Sequence, residues 1–170
     1  PIGCRYIIAS CYCSTKPLTK IISKIFKMVF STIENFHEKN LYYTKLNKFW
    51  VVENSFPIIE KLDKINLKQN AKSISTFDFS TLYTKLPHDQ LINSLNEFIN
   101  FVFKGNPKTK IGFSDHSIYW TNKGTQKRFF TKETLKDAIK HLITKCYFIV
   151  GNCVFKQVIG IPMGIDPAPF

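Results

Sequence analysis

The 170-residue sequence predicts an α+β fold, with an antiparallel sheet packed on helices. Three observations lead there. Apolar residues recur at helical spacing in four separate segments. Short β-branched and aromatic runs lie between those segments. Two of these runs are separated only by Gly151-Asn152, a pattern that marks a tight antiparallel hairpin.

In chain order, Cys4-Arg-Tyr-Ile-Ile-Ala9 reads as a strand entering a Cys/Ser turn. Arg5 stands at its start. A guanidinium fork there suits a phosphate, and an edge-strand charge turned to water is the alternative. From Thr15 to about Lys39 the sequence predicts a helix, with Pro17 at a position that tolerates proline. Leu18, Ile21, Ile22, Ile25, Phe26, Val29 and Ile33 follow helical spacing, and Lys16, Lys20, Lys24 and Lys27 fall on the opposite face. That stripe of four cations suits a nucleic-acid backbone or plain water. Residues 40–56 interleave aromatics with lysines. Such a mixture stacks bases and holds phosphates, or it plugs a core with Tyr43, Phe49 and Trp50. Pro57 to about Gln69 predicts a second helix with Ile58, Ile59, Leu62 and Ile65 inward.

The stretch from Ser73 to His88 organises the rest. A short strand-like run carries Asp78 to its end, followed by Ser80-Thr81, Tyr83 and a Leu86-Pro87 break. An acid at a strand end beside a turn serves as a metal ligand or as an ordinary turn residue. His88 to Phe103 predicts a third helix, stopped by Lys104-Gly-Asn-Pro107 with the glycine as its C-terminal cap. A β-ribbon is expected next, Ser117-Ile-Tyr-Trp120 against Lys127-Arg-Phe-Phe130, turning near Asn122-Lys-Gly124. Thr131 caps a fourth helix with Leu135, Ala138, Ile139, Leu142 and Ile143 inward. The hairpin Tyr147–Val150 and Cys153–Val158 leads into Gly160-Ile-Pro-Met-Gly-Ile-Asp-Pro-Ala-Pro169. Two glycines and three prolines make that a stiff loop, poor in side chains, where a ligand can approach the backbone.

Composition narrows the class. At 44% hydrophobic and 15% aromatic the chain is too apolar for disorder. Lys and Arg number 24 against 12 acids, and a net charge of +12 attracts a polyanion. No apolar run reaches the ~20 residues of a membrane span. Cys4, Cys11, Cys13, Cys146 and Cys153 are odd in number and form no C-x-x-C pair, which argues against a disulfide framework and a zinc ribbon. Reduced thiols in an intracellular protein are expected. Pro1 at the start and the loop-like Asp166-Pro-Ala-Pro-Phe170 at the end read as a piece of a larger domain.

Two blocks in fixed order resemble a known family. Phe77-Asp-Phe-Ser-Thr-Leu-Tyr83 is similar to the first catalytic motif of reverse transcriptases, in which an Asp is followed five residues later by Tyr or Phe. Gly160-Ile-Pro-Met-Gly164 with Pro167-Ala-Pro169 resembles the later Gly-x-Pro-Gln-Gly…Ser-Pro block, and Arg5-Tyr-Ile-Ile-Ala-Ser10 the upstream fingers motif. The wording is closest to the reverse transcriptases of Penelope-like retroelements, over essentially the whole chain.

The resemblance implies an RNA-directed DNA polymerase working with Mg2+ (or Mn2+) on an RNA template, a DNA primer and deoxynucleoside triphosphates, inside the cell and in the nucleus. It implies polymerase right-hand fingers over about residues 1–70. Part of the palm, with its antiparallel sheet and interleaved fingers elements, would span about 71–170. Asp78 and the backbone carbonyl of Phe79 would hold metal, the catalytic carboxylate being Asp78. Tyr83 would lie under the sugar and exclude a 2′-hydroxyl. Met163 and Gly164 would line the nucleotide floor, and Arg5 would reach the triphosphate. Placing template backbone along Lys16, Lys20, Lys24 and Lys27 is a reading of charge alone.

Two departures qualify it. Met163 stands where many reverse transcriptases have Gln, as in the Penelope-like group. The sequence contains no thumb, no GIY-YIG endonuclease and no Tyr-x-Asp-Asp-type hairpin, and Asp166 sits in a proline-rich turn that cannot replace that hairpin. The expectation is that these 170 residues alone do not polymerise. The rivals are a decayed remnant that only binds nucleic acid and a cellular single-strand RNA-binding domain. Such a hairpin encoded just downstream would favour the enzyme, a stop or frameshift the remnant.

Overall fold

In a computed structural model of the chain the described residues are 13–45, 55–68, 73, 75–79, 82–123, 128–162 and 165–168. They form five helices and five strands, α+β with antiparallel sheets as the patterns predict. The expected strand at Cys4–Ala9 lies outside them. The chain divides into two compact units, one taking the residues up to Ser31 together with Thr81 onward, the other Thr32–Ser80.

In the first unit the core is built from one face of each helix. The N-terminal half of α1 (Lys16–Thr44) buries Thr19, Ile22, Ile25, Phe26 and Val29. α4 (His88–Lys104) buries Ile92 and Ile99, and α5 (Lys132–Thr144) buries Leu135, Ile139, Leu142 and Ile143. These are the positions that helical spacing assigns to one stripe. Phe30 of α1 meets Phe98 of α4, ring centroids 6.3 Å apart. Gly105 ends α4 in a right-handed conformation (φ −78°), so it caps the helix without needing glycine's freedom.

α5 starts as its sequence indicates. Thr131 Oγ1 accepts the Thr134 N–H, and Thr134 Oγ1 accepts the Thr131 N–H at 2.8 Å, a capping box with threonine in both roles. Thr131→Ala is expected to lower stability by about 1 kcal/mol, read from the urea midpoint.

The β-ribbon differs from expectation. β2 (Ile118–Thr121) and β3 (Phe129–Thr131) do not pair with each other. Both flank β1 (Lys110–Phe113), in the order β2-β1-β3. Lys-Ile-Gly-Phe is a weak strand signal in sequence, because glycine weakens a strand pattern. Here Tyr119 covers Gly112 so closely that an added Cβ would lie 2.7 Å from its ring. The turn expected near Asn122-Lys-Gly124 reaches outside the described residues, and Asn122 Oδ1 accepts the Thr109 N–H at 2.8 Å. The inward face aligns Ile111 with Trp120 and Phe130, and Trp120 meets Phe103 of α4 edge-on at 5.0 Å.

β4 (Tyr147–Val150) and β5 (Cys153–Lys156) form the expected hairpin. Gly151 takes φ +61° at the first central position, and Asn152 is not among the residues with positive φ. This is the requirement of a II′ turn. Cys13, Cys146 and Cys153 are free thiols.

The second unit holds the C-terminal part of α1, then α2 (Phe56–Lys68) and the described part of 73–79. α1 runs to Thr44 and closes on Lys45 in the left-handed region, with the Lys45 ammonium 5.0 Å from the Tyr42 ring centre. Of the residues expected inward on α2, Ile58, Ile59 and Ile65 are exposed and only Leu62 is half-buried. Residues 75–79 carry no regular secondary structure, so the strand expected to end at Asp78 is not formed among the described residues.

Candidate functional site

Asp78 is exposed in a segment without regular secondary structure, and the flanking Phe77 and Phe79 turn 94% and 78% of their surface outward. Among the described residues no group of three His, Cys, Asp or Glu comes together. Asp78 and the Phe79 carbonyl, the metal ligands the resemblance implies, would thus be only part of the ligand set of a divalent ion, which normally takes one or two carboxylates plus substrate phosphates and water. The described residues alone do not complete a two-ion site.

The other sequence block is built in more detail. α3 is a single turn, Leu82–Lys85, that carries Tyr83 half-buried. A continuing helix would give the Tyr83 carbonyl to the N–H of residue 87, but residue 87 is proline and has none. That orphaned carbonyl accepts the Ile161 N–H at 2.8 Å. One residue earlier, the Gly160 N–H reaches the Leu86 carbonyl at 2.7 Å. The Gly160 carbonyl in turn lies 2.7 Å from His88 Nε2, at the first position of α4. A carbonyl only accepts, so Nε2 carries the proton and donates it.

Gly160 itself is buried and takes φ +74°. A Cβ there would strike the Tyr83 carbonyl oxygen and come within 2.9 Å of the Thr84 backbone. Only glycine permits this approach. Tyr83, Leu86 and His88, more than seventy residues before it in sequence, are thus joined to the Gly160 loop by three hydrogen bonds inside one unit.

A second anchor holds the same loop further on. Asp166 accepts from Thr19 Oγ1 at 2.6 Å and from Lys16 Nζ at 3.0 Å, both on the first turns of α1. Thr19 is 3% exposed, and a carboxylate beside a helix N-terminus is favoured by the backbone dipoles. Burial raises the Asp166 pKa, but the hydrogen bonds from Thr19 and Lys16 and the charges of Lys16 and Lys20 outweigh it. The net pKa is lowered.

A group whose folded pKa is depressed stabilises above its unfolded pKa and loses that contribution as pH falls through the folded value. Wild type should exceed Asp166→Asn by about 1–2 kcal/mol at pH 7, and the gap should begin to narrow below about pH 4 and be lost as pH falls through the lowered folded pKa. Urea midpoints at pH 7 and pH 3 test this.

The sequence-predicted residues are therefore distributed unevenly. Tyr83 and the start of the Gly160 loop meet in the first unit, whereas Asp78 and Phe79 belong to the second. Arg5, Met163 and Gly164 lie outside the described residues. Of the lysine stripe, Lys16 is engaged by Asp166 and half-buried, while Lys20, Lys24 and Lys27 are exposed. Lys24 approaches the Asp115 carbonyl at 3.4 Å.

His88 and Asp166 are the anchoring residues that sequence reasoning missed. Pro87, which frees the Tyr83 carbonyl for a distant partner, was the available signal. A cavity of about 10 Å³ among Ile25, Phe26, Val29, Phe98, Ile99 and neighbours is a gap in the apolar core with no polar lining. No helix among the described residues is long and apolar enough to cross a membrane. Compared with protein-family models, curated proteins and solved structures, the chain matches none.

Proposed function

We propose that the chain is the fingers and part of the palm of a reverse transcriptase of the Penelope-like kind, an RNA-directed DNA polymerase. The observation that carries this reading is the clasp between the Tyr83 block and the Gly160 loop. In a polymerase these two stretches contribute to one nucleotide pocket, and their separation in sequence gives no local reason to touch. The +12 charge and the exposed Lys20, Lys24 and Lys27 support a polyanionic partner, here template and primer. The exposed Asp78 is suited to binding magnesium together with a nucleotide's phosphates. Tyr83 would limit the sugar, and Arg5, Met163 and Gly164 the triphosphate and base. With one block carboxylate supplied, the 170 residues alone are inactive in this reading.

The test is a ternary complex on an RNA template annealed to a dideoxy-terminated DNA primer, with the next template base adenine. TTP with Mg2+ should increase retention of the duplex by the chain, and dCTP should not. Equal effects of TTP and dCTP would reject template direction. The second reading, a nucleic-acid-binding remnant, would then stand. The exposed Asp78 with no gathered acids among the described residues favours that alternative. Primer extension with an unblocked primer should give no product, and extension abolished by Asp78→Ala would refute the inactivity.

A further inference from the structure

We propose that His88 is a positioning residue for sugar selection, acting through Gly160 on Tyr83. The inference rests on the reverse-transcriptase reading of Tyr83 and goes beyond it, because the family resemblance assigns His88 no role.

His88 opens α4 after Pro87, which is the N-cap and offers no side-chain hydrogen bond to the helix. The His88 Nε2–H donates to the Gly160 carbonyl across 72 residues of sequence. That bond fixes the peptide plane following Gly160, and the N–H of the same plane belongs to Ile161, which donates to the Tyr83 carbonyl. One peptide unit is thus held on its oxygen side by His88 and on its nitrogen side by Tyr83. The preceding Gly160 N–H, on the Leu86 carbonyl, completes the ring of contacts around the Leu86-Pro87 break. Leu82–Lys85 is a single turn, too short to set the direction of Tyr83 by its own hydrogen bonds. What holds the Tyr83 backbone is the peptide that His88 steadies. Loss of the imidazole donor would leave the Gly160 carbonyl, at a buried residue, without that partner and let the peptide rotate.

His88→Gln and His88→Glu form the test pair. The glutamine amide can donate from nearly the same place, while the ionised glutamate only accepts and repels the carbonyl. Each variant is measured with TTP and with UTP, both with Mg2+, on the blocked RNA template–DNA primer that calls for thymidine. Wild type and His88→Gln should keep the same preference for TTP over UTP. His88→Glu should reduce that ratio about fivefold, the loss expected for one hydrogen bond, with duplex binding in the absence of nucleotide unchanged.

His88→Leu, which fills the space without a donor, is the second variant and should behave like His88→Glu. Thermal melts monitor the fold in all four proteins, and the ratio is compared only among those that melt cooperatively. A ratio unchanged in His88→Glu or His88→Leu, with the wild-type preference present, overturns the proposal and leaves the function intact. Wild type that shows no template-directed TTP binding overturns the functional reading and the proposal with it.

Discussion

Gly160→Ala is expected to destabilise the chain by about 3–5 kcal/mol, among the large effects that a single residue produces. Two costs combine. Alanine at φ +74° is strained by about 1–2 kcal/mol, as for any residue with a Cβ in the left-handed region. The new methyl group would also strike the Tyr83 carbonyl oxygen and press on the Thr84 backbone, and backbone atoms cannot swing aside as a flexible side chain can. Relief requires parting the loop from α3, which breaks the hydrogen bonds to Tyr83, Leu86 and His88 together.

Gly151→Ala separates the two costs. Gly151 has φ +61° on the hairpin turn, but nothing lies within 4 Å of an added Cβ. It should lose only the strain, about 1–2 kcal/mol. Urea denaturation of both variants gives the comparison. Equal losses at the two sites would mean that the close approach at Gly160 does not exist in solution.

Ile111→Ala is the second large effect, about 2–5 kcal/mol. Ile111 is 0% exposed on the central strand, with Trp120 and Phe130 opposite it on the two neighbours. Removing its branched side chain opens a void beneath three strands whose paired backbones cannot easily collapse into it, so the cavity term adds to the lost burial. Leu67→Ala is the contrast. Leu67 is 85% exposed on α2, and its truncation should change stability by no more than about 0.5 kcal/mol. Calorimetric or urea melts decide. A loss at Leu67 comparable with that at Ile111 would show that Leu67 itself is buried in solution.

Much of the fold was legible because the signals are local. The α4 and α5 faces follow from residues three and four apart, the α5 start from Thr131, and the hairpin from Gly151-Asn152. The misreadings also have local causes. β1 is a weak signal, four residues long with a glycine among them. β2 was then joined to β3, since two aromatic runs with Asn122-Lys-Gly124 between them imitate a hairpin. On α2 the periodic pattern is present, yet Ile58, Ile59 and Ile65 are exposed, so periodicity names a face without naming what covers it. In the candidate site, the resemblance pointed to Asp78, Tyr83 and the Gly160 loop by residue type, but it could not indicate what holds them.

By itself the sequence determined the helices and their apolar faces, the hairpin turn, the basic stripe and the order of the two blocks. Each of these depends on neighbours within a turn or two of chain. Only the tertiary structure decided that Gly160 is pressed against Tyr83, that His88 faces its carbonyl, and that Asp166 withdraws Lys16 from the stripe. Those contacts join residues from 72 to 150 positions apart. No periodicity spans such separations. They form because packing of α1, α4 and the loop brings unsatisfied donors and acceptors to the same place, where each must find a partner.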